Sequence, residues 1–284
     1  MWSFNFTVTK YVLAHGFRPL AYSVLRYGLA AIIFGALTIA IERTLRIRGR
    51  RDWLLLGAAI LVLALNQVCF VYALTFTTAT TASLVLGSTP IFVALLAAAV
   101  GLERITSRVG IAGLASFGGV AFVAIGAEGG ITRLSADLKG VLLTLGMAGT
   151  WAAYSVTIAP LMRRYSPYRI SSIVLVGTWI PLLLVGLHQT SRQDWDLGWL
   201  VWLGLAYAIV GPLVLTNVLW FTAVDRIGPS RASLFANLQP FAAAIFALLL
   251  LDESVTMVQV AGGLAIGAGI ALSRGPATPV PRGE

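Results

Sequence analysis

Two basic residues, Lys10 and Arg26, stand inside long apolar stretches of this sequence. A charge at membrane depth is costly and tends to mark a substrate or ion pathway. No Asp or Glu lies well inside an apolar stretch to neutralise the two residues, so the carboxylate of a bound solute would be a suitable partner. We therefore expect Lys10 and Arg26 to favour acidic or zwitterionic small molecules. The structural alternative is that both side chains extend to the membrane–water interface.

Neutral polar and aromatic residues also recur inside apolar stretches and predict the lining of a central cavity. Ser83, Gly87 and Pro90 follow at i, i+4 and i+7, which places them on one face of a helix. A proline leaves a backbone carbonyl unbonded, which is tolerated at membrane depth only against protein or a cavity. The predicted cavity residues are Asn5, Lys10, Arg26, Asn66, Gln67, Tyr72, Ser83, Pro90, Trp151, Tyr154, Ser155, Asn217, Trp220, Ser233, Asn237 and Pro240. For each aromatic residue, ordinary packing or anchoring at the interface is the alternative.

Catalytic and metal chemistry find little support in the sequence. One cysteine, Cys69, and two histidines, His15 and His188, are too few for a cysteine-rich or histidine-rich metal site. An intramembrane serine protease would need an embedded base, and an aspartyl enzyme would need two carboxylates at depth. We therefore predict no catalytic residue, metal or cofactor. The lack of acidic groups at depth also favours facilitated movement of a solute over proton coupling.

The amino-acid composition predicts which secondary-structure elements position these candidate residues. Of the 284 residues, 58% are hydrophobic and 11% are charged, whereas a soluble globular chain has about 25% charged residues. This excludes an ordinary soluble domain and predicts an all-α, polytopic membrane protein with ten transmembrane helices. The predicted spans are 1–14, 20–41, 53–75, 79–101, 108–126, 139–160, 170–188, 198–222, 232–251 and 256–273.

The basic residues between the spans are distributed unevenly. Alternating gaps carry 14 Lys and Arg on one side of the membrane and 4 on the other. Basic loops stay in the cytoplasm, so this pattern predicts an inner-membrane protein with both termini cytoplasmic, and it explains the net charge of +9 without nucleic acid. The first span would reach only about 21 Å as a helix, so we expect that helix to begin upstream of Met1.

An internal repeat spans most of the chain. Residues 82–121 align without gaps on residues 232–271, with 13 of 40 positions identical. The matches include Pro90 with Pro240 and Glu103 with Glu253, which composition alone would not favour. The repeat predicts two five-helix units, 1–126 and 139–273, followed by a disordered tail, 274–284. Because five is odd, the second unit must be inverted in the membrane relative to the first.

The doubled motif carries a family resemblance. The start Trp2-Ser3-Phe4-Asn5-Phe6, followed by Lys10, Pro19 and Arg26, resembles the start of an EamA-type transporter. The segments Ala82-Ser83-Leu84…Pro90…Glu103 and Ala232-Ser233-Leu234…Pro240…Glu253 resemble the two repeats of that family. The resemblance covers essentially the whole chain and implies a ten-helix member of the drug/metabolite transporter superfamily, similar to exporters of amino acids and other metabolites.

The repeat favours one of three classes of function. The leading prediction is an exporter of amino acids or related small metabolites that alternates access through a cavity between the two repeats. The alternatives are an intramembrane enzyme and a membrane sensor or scaffold that transports nothing. Neither alternative requires two opposed copies of a five-helix unit. The expected partners are therefore an amino-acid-like or amphipathic metabolite and the lipid bilayer, and no nucleic acid.

Two patterns predict structural roles. Thr256-x-x-Gln259 matches the capping box of a helix start, and Glu103 and Glu253 lie at helix ends, where capping is the simpler interpretation. Glycines 113, 118 and 119 in one span and 263, 267 and 269 in its counterpart predict close helix packing. They explain packing within the chain at least as well as they would explain a dimer.

Overall fold

The computed structural model describes residues 1–42, 44–99, 107–126, 130–162, 164–219 and 239–273. All regular secondary structure in those ranges is helical, which confirms the predicted all-α class. The helices are α1 (Trp2–Ala14), α2 (Pro19–Glu42), α3 (Arg50–Phe76), α4 (Ala79–Leu86), α5 (Thr89–Ala99), α6 (Ser107–Ile125), α7 (Gly130–Met162), α8 (Pro167–Ser191), α9 (Trp199–Ala208), α10 (Gln239–Leu250) and α11 (Met257–Ser273). The predicted tail, 274–284, and Glu103 lie outside the described residues.

Six helical segments in the described ranges are long and apolar enough to cross a membrane. They comprise α2, α3, α4 with the start of α5, α7 from Leu138, α8, and Trp199–Leu219. Shorter apolar helices occupy Gly110–Ile125, Gln239–Leu250 and Met257–Leu272. The chain is therefore a polytopic membrane protein, as its composition predicts.

The fourth predicted span is broken in the middle. Helix α4 ends at Leu86, and α5 begins at Thr89. Pro90 has no N–H to donate to the carbonyl of Leu86, and the Thr89 hydroxyl donates to that carbonyl instead, at 2.6 Å. The Ser88 hydroxyl likewise donates to the carbonyl of Val85, at 2.8 Å. The predicted fourth span is thus present as one apolar stretch, Ala79–Leu96, but its helix is interrupted between Leu86 and Thr89, so Ser83, Gly87 and Pro90 do not lie on one uninterrupted helix.

A second proline distorts the eighth span. After α9 the chain continues through a π-helical turn, Ile209–Leu215, that contains Pro212. The Thr216 hydroxyl donates to the carbonyl of Gly211 at 2.8 Å, and the Trp2 indole N–H donates to the carbonyl of Pro212 at 3.1 Å. The Gly211 carbonyl thus accepts both the N–H and the hydroxyl of Thr216, and the Pro212 carbonyl accepts a side chain of α1.

Helices α6 and α11, which the sequence repeat equates, pack against each other closely and in opposite directions. A Cβ at Gly119 would lie 2.6 Å from the Gly262 carbonyl oxygen, and one at Gly269 would lie 2.7 Å from the Ala112 carbonyl oxygen. The repeat pairs Gly119 with Gly269 and Ala112 with Gly262, so the second contact is the first with its partners exchanged. Such an exchange of contact partners indicates a two-fold axis between α6 and α11.

The contacts between helices α2 and α8 show the same exchange of partners between the two halves. Each begins at a proline, Pro19 or Pro167, whose fixed φ suits the first turn of a helix. The Thr38 hydroxyl donates to the carbonyl of Tyr168 near one end of the pair. Near the other end, Gly186 packs against the Leu20 carbonyl, where a Cβ would be 3.3 Å away. Equivalent helices therefore run antiparallel, as inverted halves require. The boundaries 1–126 and 139–273 stay a prediction.

Candidate functional site

Three of the predicted cavity residues form one hydrogen-bonded chain between α2, α3 and α7. The Arg26 Nη2 donates to the Gln67 Oε1 at 2.7 Å, and the Gln67 Nε2 donates to the Asn66 Oδ1 at 2.9 Å. The Asn66 Nδ2 in turn donates to the Met147 carbonyl at 2.8 Å and to the Thr150 hydroxyl at 3.2 Å. The neutral amides of Gln67 and Asn66 thus connect the buried charge of Arg26 to α7, which belongs to the second half.

Arg26 lies deep in the protein, with 3% of its surface exposed. Its guanidinium carbon is 5.3–5.6 Å from the ring centroids of Tyr22, Tyr27 and Phe70. Among the described residues, the Nε and Nη1 atoms are buried without a hydrogen-bond acceptor. The Arg26 side chain is therefore enclosed by protein, and its predicted contact with substrate stays a prediction.

Helix α7 brings aromatic residues to the same region. The rings of Trp151 and Tyr154 lie 5.6 Å apart. Tyr154 lies one helical turn beyond Thr150 and packs against the hydrophobic cluster that contains Tyr27. Trp151 is 38% exposed. The Ser155 hydroxyl donates to the Trp151 carbonyl at 2.8 Å, so its bond stays within its own helix.

Lys10 has a different role from Arg26. Its ammonium donates to the carbonyls of Leu74 and Thr77, at 2.7 and 2.8 Å. These carbonyls close the C-terminus of α3, where a cation is favoured by the helix dipole. Lys10 therefore anchors α1 to the end of α3. Its predicted contact with substrate stays a prediction.

The other predicted residues lie in several separate places. Asn5 is buried, and its Oδ1 accepts no hydrogen bond from the described residues. The Ser83 hydroxyl donates to the Thr80 carbonyl at 2.9 Å. The Tyr72 hydroxyl accepts from the Gln189 amide at 2.9 Å, and the Asn217 amide donates to the Leu213 carbonyl at 2.7 Å. Pro90 and Pro240 occupy the first turns of α5 and α10. Trp220, Ser233 and Asn237 lie outside the described residues.

Polar contacts join the two halves at the end of the protein where α2 meets α3 and α7 meets α8, here called the basic face (residues 44–52 and 164–169, with Glu42). Asp52 pairs with Arg164 at 2.9 Å and accepts from the Tyr165 hydroxyl at 2.7 Å. Glu42 pairs with Arg169 at 3.2 Å and accepts from the Ser166 hydroxyl.

The opposite face (residues 14–20 and 189–199) joins the halves without ion pairs. The Gln193 Oε1 accepts from the Arg18 backbone N–H at 2.7 Å, and its Nε2 donates to the Gly16 carbonyl at 3.1 Å. The Gln189 Oε1 accepts from the Leu20 N–H at 2.8 Å. The two-fold exchange relates this bridge to the one on the basic face, because the α1–α2 turn is the counterpart of the α7–α8 turn.

Sequence reasoning missed these bridging residues. Gln189, Gln193, Asp52 and Glu42 lie near helix ends, where a polar residue is expected to face water, and no spacing rule connects residues more than 110 positions apart. The repeat was the one available signal, because it equates the turns that carry them.

Other features of the described residues offer little site chemistry. A shallow pocket of about 300 Å³ lies beside Tyr11, His15 and Trp199 at the opposite face, and none of the predicted cavity residues lines it. Within the described ranges, no group of three or more His, Cys, Asp or Glu is placed to hold a metal ion.

Comparison with known proteins divides the chain into the same two copies. The model of the EamA-like transporter family matches residues 1–125 and 138–275. A protein of Salmonella typhimurium named a probable amino-acid metabolite efflux pump is 28% identical over 286 residues, which cover 95% of this chain and 90% of that protein. The uncharacterized transporter YyaM of Bacillus subtilis is 25% identical over 278 residues, covering 95% and 89%. A crystal structure shares the fold with a TM-score of 0.66 at 18% identity, over 96% of this chain and 92% of that one.

Proposed function

The chain belongs to the EamA-like transporter family, and from that premise we propose that it exports amino acids or related small metabolites by alternating access. Transporters of inverted-repeat architecture bind substrate near mid-membrane between the halves and open to one side at a time. The amino-acid class is supported by the name of the Salmonella typhimurium relative, a probable amino-acid metabolite efflux pump.

The observation that carries the proposal is the exchange of partners between equivalent helices. Gly119 meets Gly262 in the same way that Gly269 meets Ala112, so the halves are alike but opposed. When two halves are alike but inverted, each can adopt the conformation of the other. This swap moves the opening of the central cavity from one membrane face to the other. An intramembrane enzyme or a scaffold has no use for this symmetry.

The bridges at the two faces are the contacts that such an exchange would break in turn. Opening the basic face separates Asp52 from Arg164 and Glu42 from Arg169. Opening the opposite face separates Gln193 from the α1–α2 turn. Asp52 is almost fully buried, with 6% of its side chain exposed, and Arg169 and Glu42 are 20% and 14% exposed. Separating buried partners costs more than the about 0–1 kcal/mol of an exposed ion pair, so contacts with substrate or at the other face must offset each opening.

We place the protein in the inner membrane with the basic face and both termini in the cytoplasm, because the arginine-rich gaps lie on that side. Reporter fusions within 43–52 and within 188–197 test this orientation. The first should report a cytoplasmic position and the second an external one. Fusions reporting the same side would contradict the ten-span topology.

Transport itself is tested in proteoliposomes that contain the purified full chain. Vesicles preloaded with an unlabelled mixture of the twenty amino acids should accumulate labelled amino acid from outside by counterflow, with one or a few substrates preferred. Protein-free vesicles are the control. Equal labelling of both preparations for every amino acid would overturn the proposed substrate class.

A further inference from the structure

Arg26 carries a buried charge that the protein compensates only in part. Arginine keeps its proton in proteins, and this guanidinium is 3% exposed. Neither of the two ion pairs in the described part of the chain involves it. Among the described residues its guanidinium donates to the Gln67 Oε1 and has the Tyr27 hydroxyl close by, while Nε and Nη1 have no acceptor in good geometry. A buried charge in that condition destabilises the fold unless another partner binds it.

The aromatic rings around Arg26 reduce that cost but give its N–H groups no hydrogen-bond acceptor in the ring plane. Tyr22, Tyr27 and Phe70 place ring centroids within 5.6 Å of the guanidinium carbon. Cation–π contacts contribute about 0.5–2 kcal/mol each, and they do not use the planar fork of donors that fits a carboxylate. The surroundings are thus suited to a solute with one anionic group and an apolar remainder.

The hydrogen-bonded chain holds the guanidinium in place. Gln67 presents its oxygen to Arg26 because its own amide donates to Asn66, and Asn66 is held by Thr150 and the Met147 carbonyl of α7. The N–H donors of the Arg26 guanidinium are therefore positioned by both halves, and a relative movement of the halves would change their orientation. These donors thus lie at the interface that alternating access rearranges.

We propose that Arg26 binds the carboxylate of the transported solute, with Gln67 as the residue that positions the guanidinium; the inference rests on the proposed transport function. A monocarboxylate matches the single charge of the site better than a phosphate dianion does. The other basic group at depth, Lys10, already donates to the carbonyls of Leu74 and Thr77. The substrate class is thus a small monocarboxylate with an apolar side group, of which apolar amino acids are examples.

Thermal unfolding of the purified full chain tests the carboxylate directly. The probes are L-phenylalanine, hydrocinnamate, which lacks the ammonium, and phenylalaninamide, which lacks the carboxylate. The two acids should raise the Tm of the wild-type protein, and the amide and inorganic phosphate should not. Equal stabilisation by acid and amide, or stabilisation by neither acid, overturns the inference; stabilisation by phosphate alone assigns the site to another anion and also overturns it.

Two variants separate a binding role from a structural one. Arg26→Gln should weaken acid binding about tenfold or more, because a hydrogen bond to a charged group is lost. Gln67→Glu keeps Arg26 and supplies a competing carboxylate beside it, so it should raise the Tm without ligand and abolish stabilisation by the acids. Arg18→Gln is the matched control, since Arg18 is exposed at the α1–α2 turn. Undiminished acid binding in Gln67→Glu would contradict the proposal even if Arg26→Gln failed to fold.

Counterflow of the same compounds separates this inference from the proposed function. Binding of acids without any transport would leave the carboxylate site standing and overturn the export function. Transport of phenylalanine and phenylalaninamide at equal rates would leave transport standing and overturn the role of Arg26.

Discussion

At the scale of single residues, Lys10 and Arg26 show how the same kind of charge can serve two purposes. Both stand in apolar stretches of the sequence. Lys10 meets two backbone carbonyls at the end of a helix, whereas Arg26 meets one amide oxygen and three rings. The difference lies in the partners, because a helix end offers acceptors and the side of a helix offers few.

Replacing Lys10 should therefore reduce stability. Lys10→Met removes two charge-assisted hydrogen bonds at the C-terminus of α3 and should lower the free energy of unfolding by about 1–3 kcal/mol. Chemical denaturation in detergent, followed by circular dichroism, measures the change.

The control for this prediction is Lys139→Met, which makes the same chemical change at an exposed position of α7. Surface changes of that kind are usually within about 0.5 kcal/mol. Equal stability of the two variants would show that the contacts of Lys10 with α3 contribute nothing measurable.

At the scale of secondary-structure elements, capping and close packing join one half to the other. The predicted capping box is confirmed, since Thr256 and Gln259 exchange hydrogen bonds at 3.1 and 3.2 Å. The capping role expected for Glu253 is confirmed as well. Its carboxylate accepts from the Ala79 and Thr80 N–H groups, at 2.8 and 2.9 Å, and so caps α4 of the other half.

The glycines of α6 and α11 have unequal importance. A Cβ at Gly119 would lie 2.6 Å from a backbone oxygen of α11, whereas a Cβ at Gly118 would have no neighbour within 4 Å. Gly119→Ala should therefore lower the free energy of unfolding by about 1–3 kcal/mol, because the helices must separate. Gly118→Ala should leave it unchanged or raise it by up to about 1 kcal/mol. The pair is measured by denaturation in detergent, and equal effects would contradict the close packing of α6 and α11.

At the scale of the whole molecule, polar bridges join the two halves at both faces. Alternating access requires each bridge to open in every transport cycle. Crosslinking a Glu42→Cys, Arg169→Cys pair on the basic face should therefore stop counterflow, and so should crosslinking an Arg18→Cys, Gln193→Cys pair on the opposite face. With either crosslink we expect less than about a tenth of the uncrosslinked rate, restored by reduction.

The crosslinking experiment uses a Cys69→Ala background, because Cys69 is the chain's one native cysteine. Each single-cysteine variant, treated with the same short bifunctional thiol reagent, controls for loss of the native bridge. Continued counterflow with the basic face crosslinked would show that the halves do not need to separate there.

The sequence by itself determined the class of the protein, because its low content of charge and its ten apolar stretches leave membrane helices as the available fold. It also determined the repeat, since identical residues at fixed spacing are visible without coordinates. The break between α4 and α5 was signalled by Pro90, but its position was not, because it depends on which hydroxyls reach the unbonded carbonyls.

Only the tertiary structure decided which polar residues act together. Asn66 and Thr150 are 84 positions apart, and Gln193 meets the backbone of Arg18 from 175 positions away. Periodicity places a side chain on a face of its own helix, but not against a particular neighbour, because the neighbour is selected by packing between helices. Arg26 was therefore visible in the sequence as a charge, and its partners were defined only when α3 and α7 were placed around it.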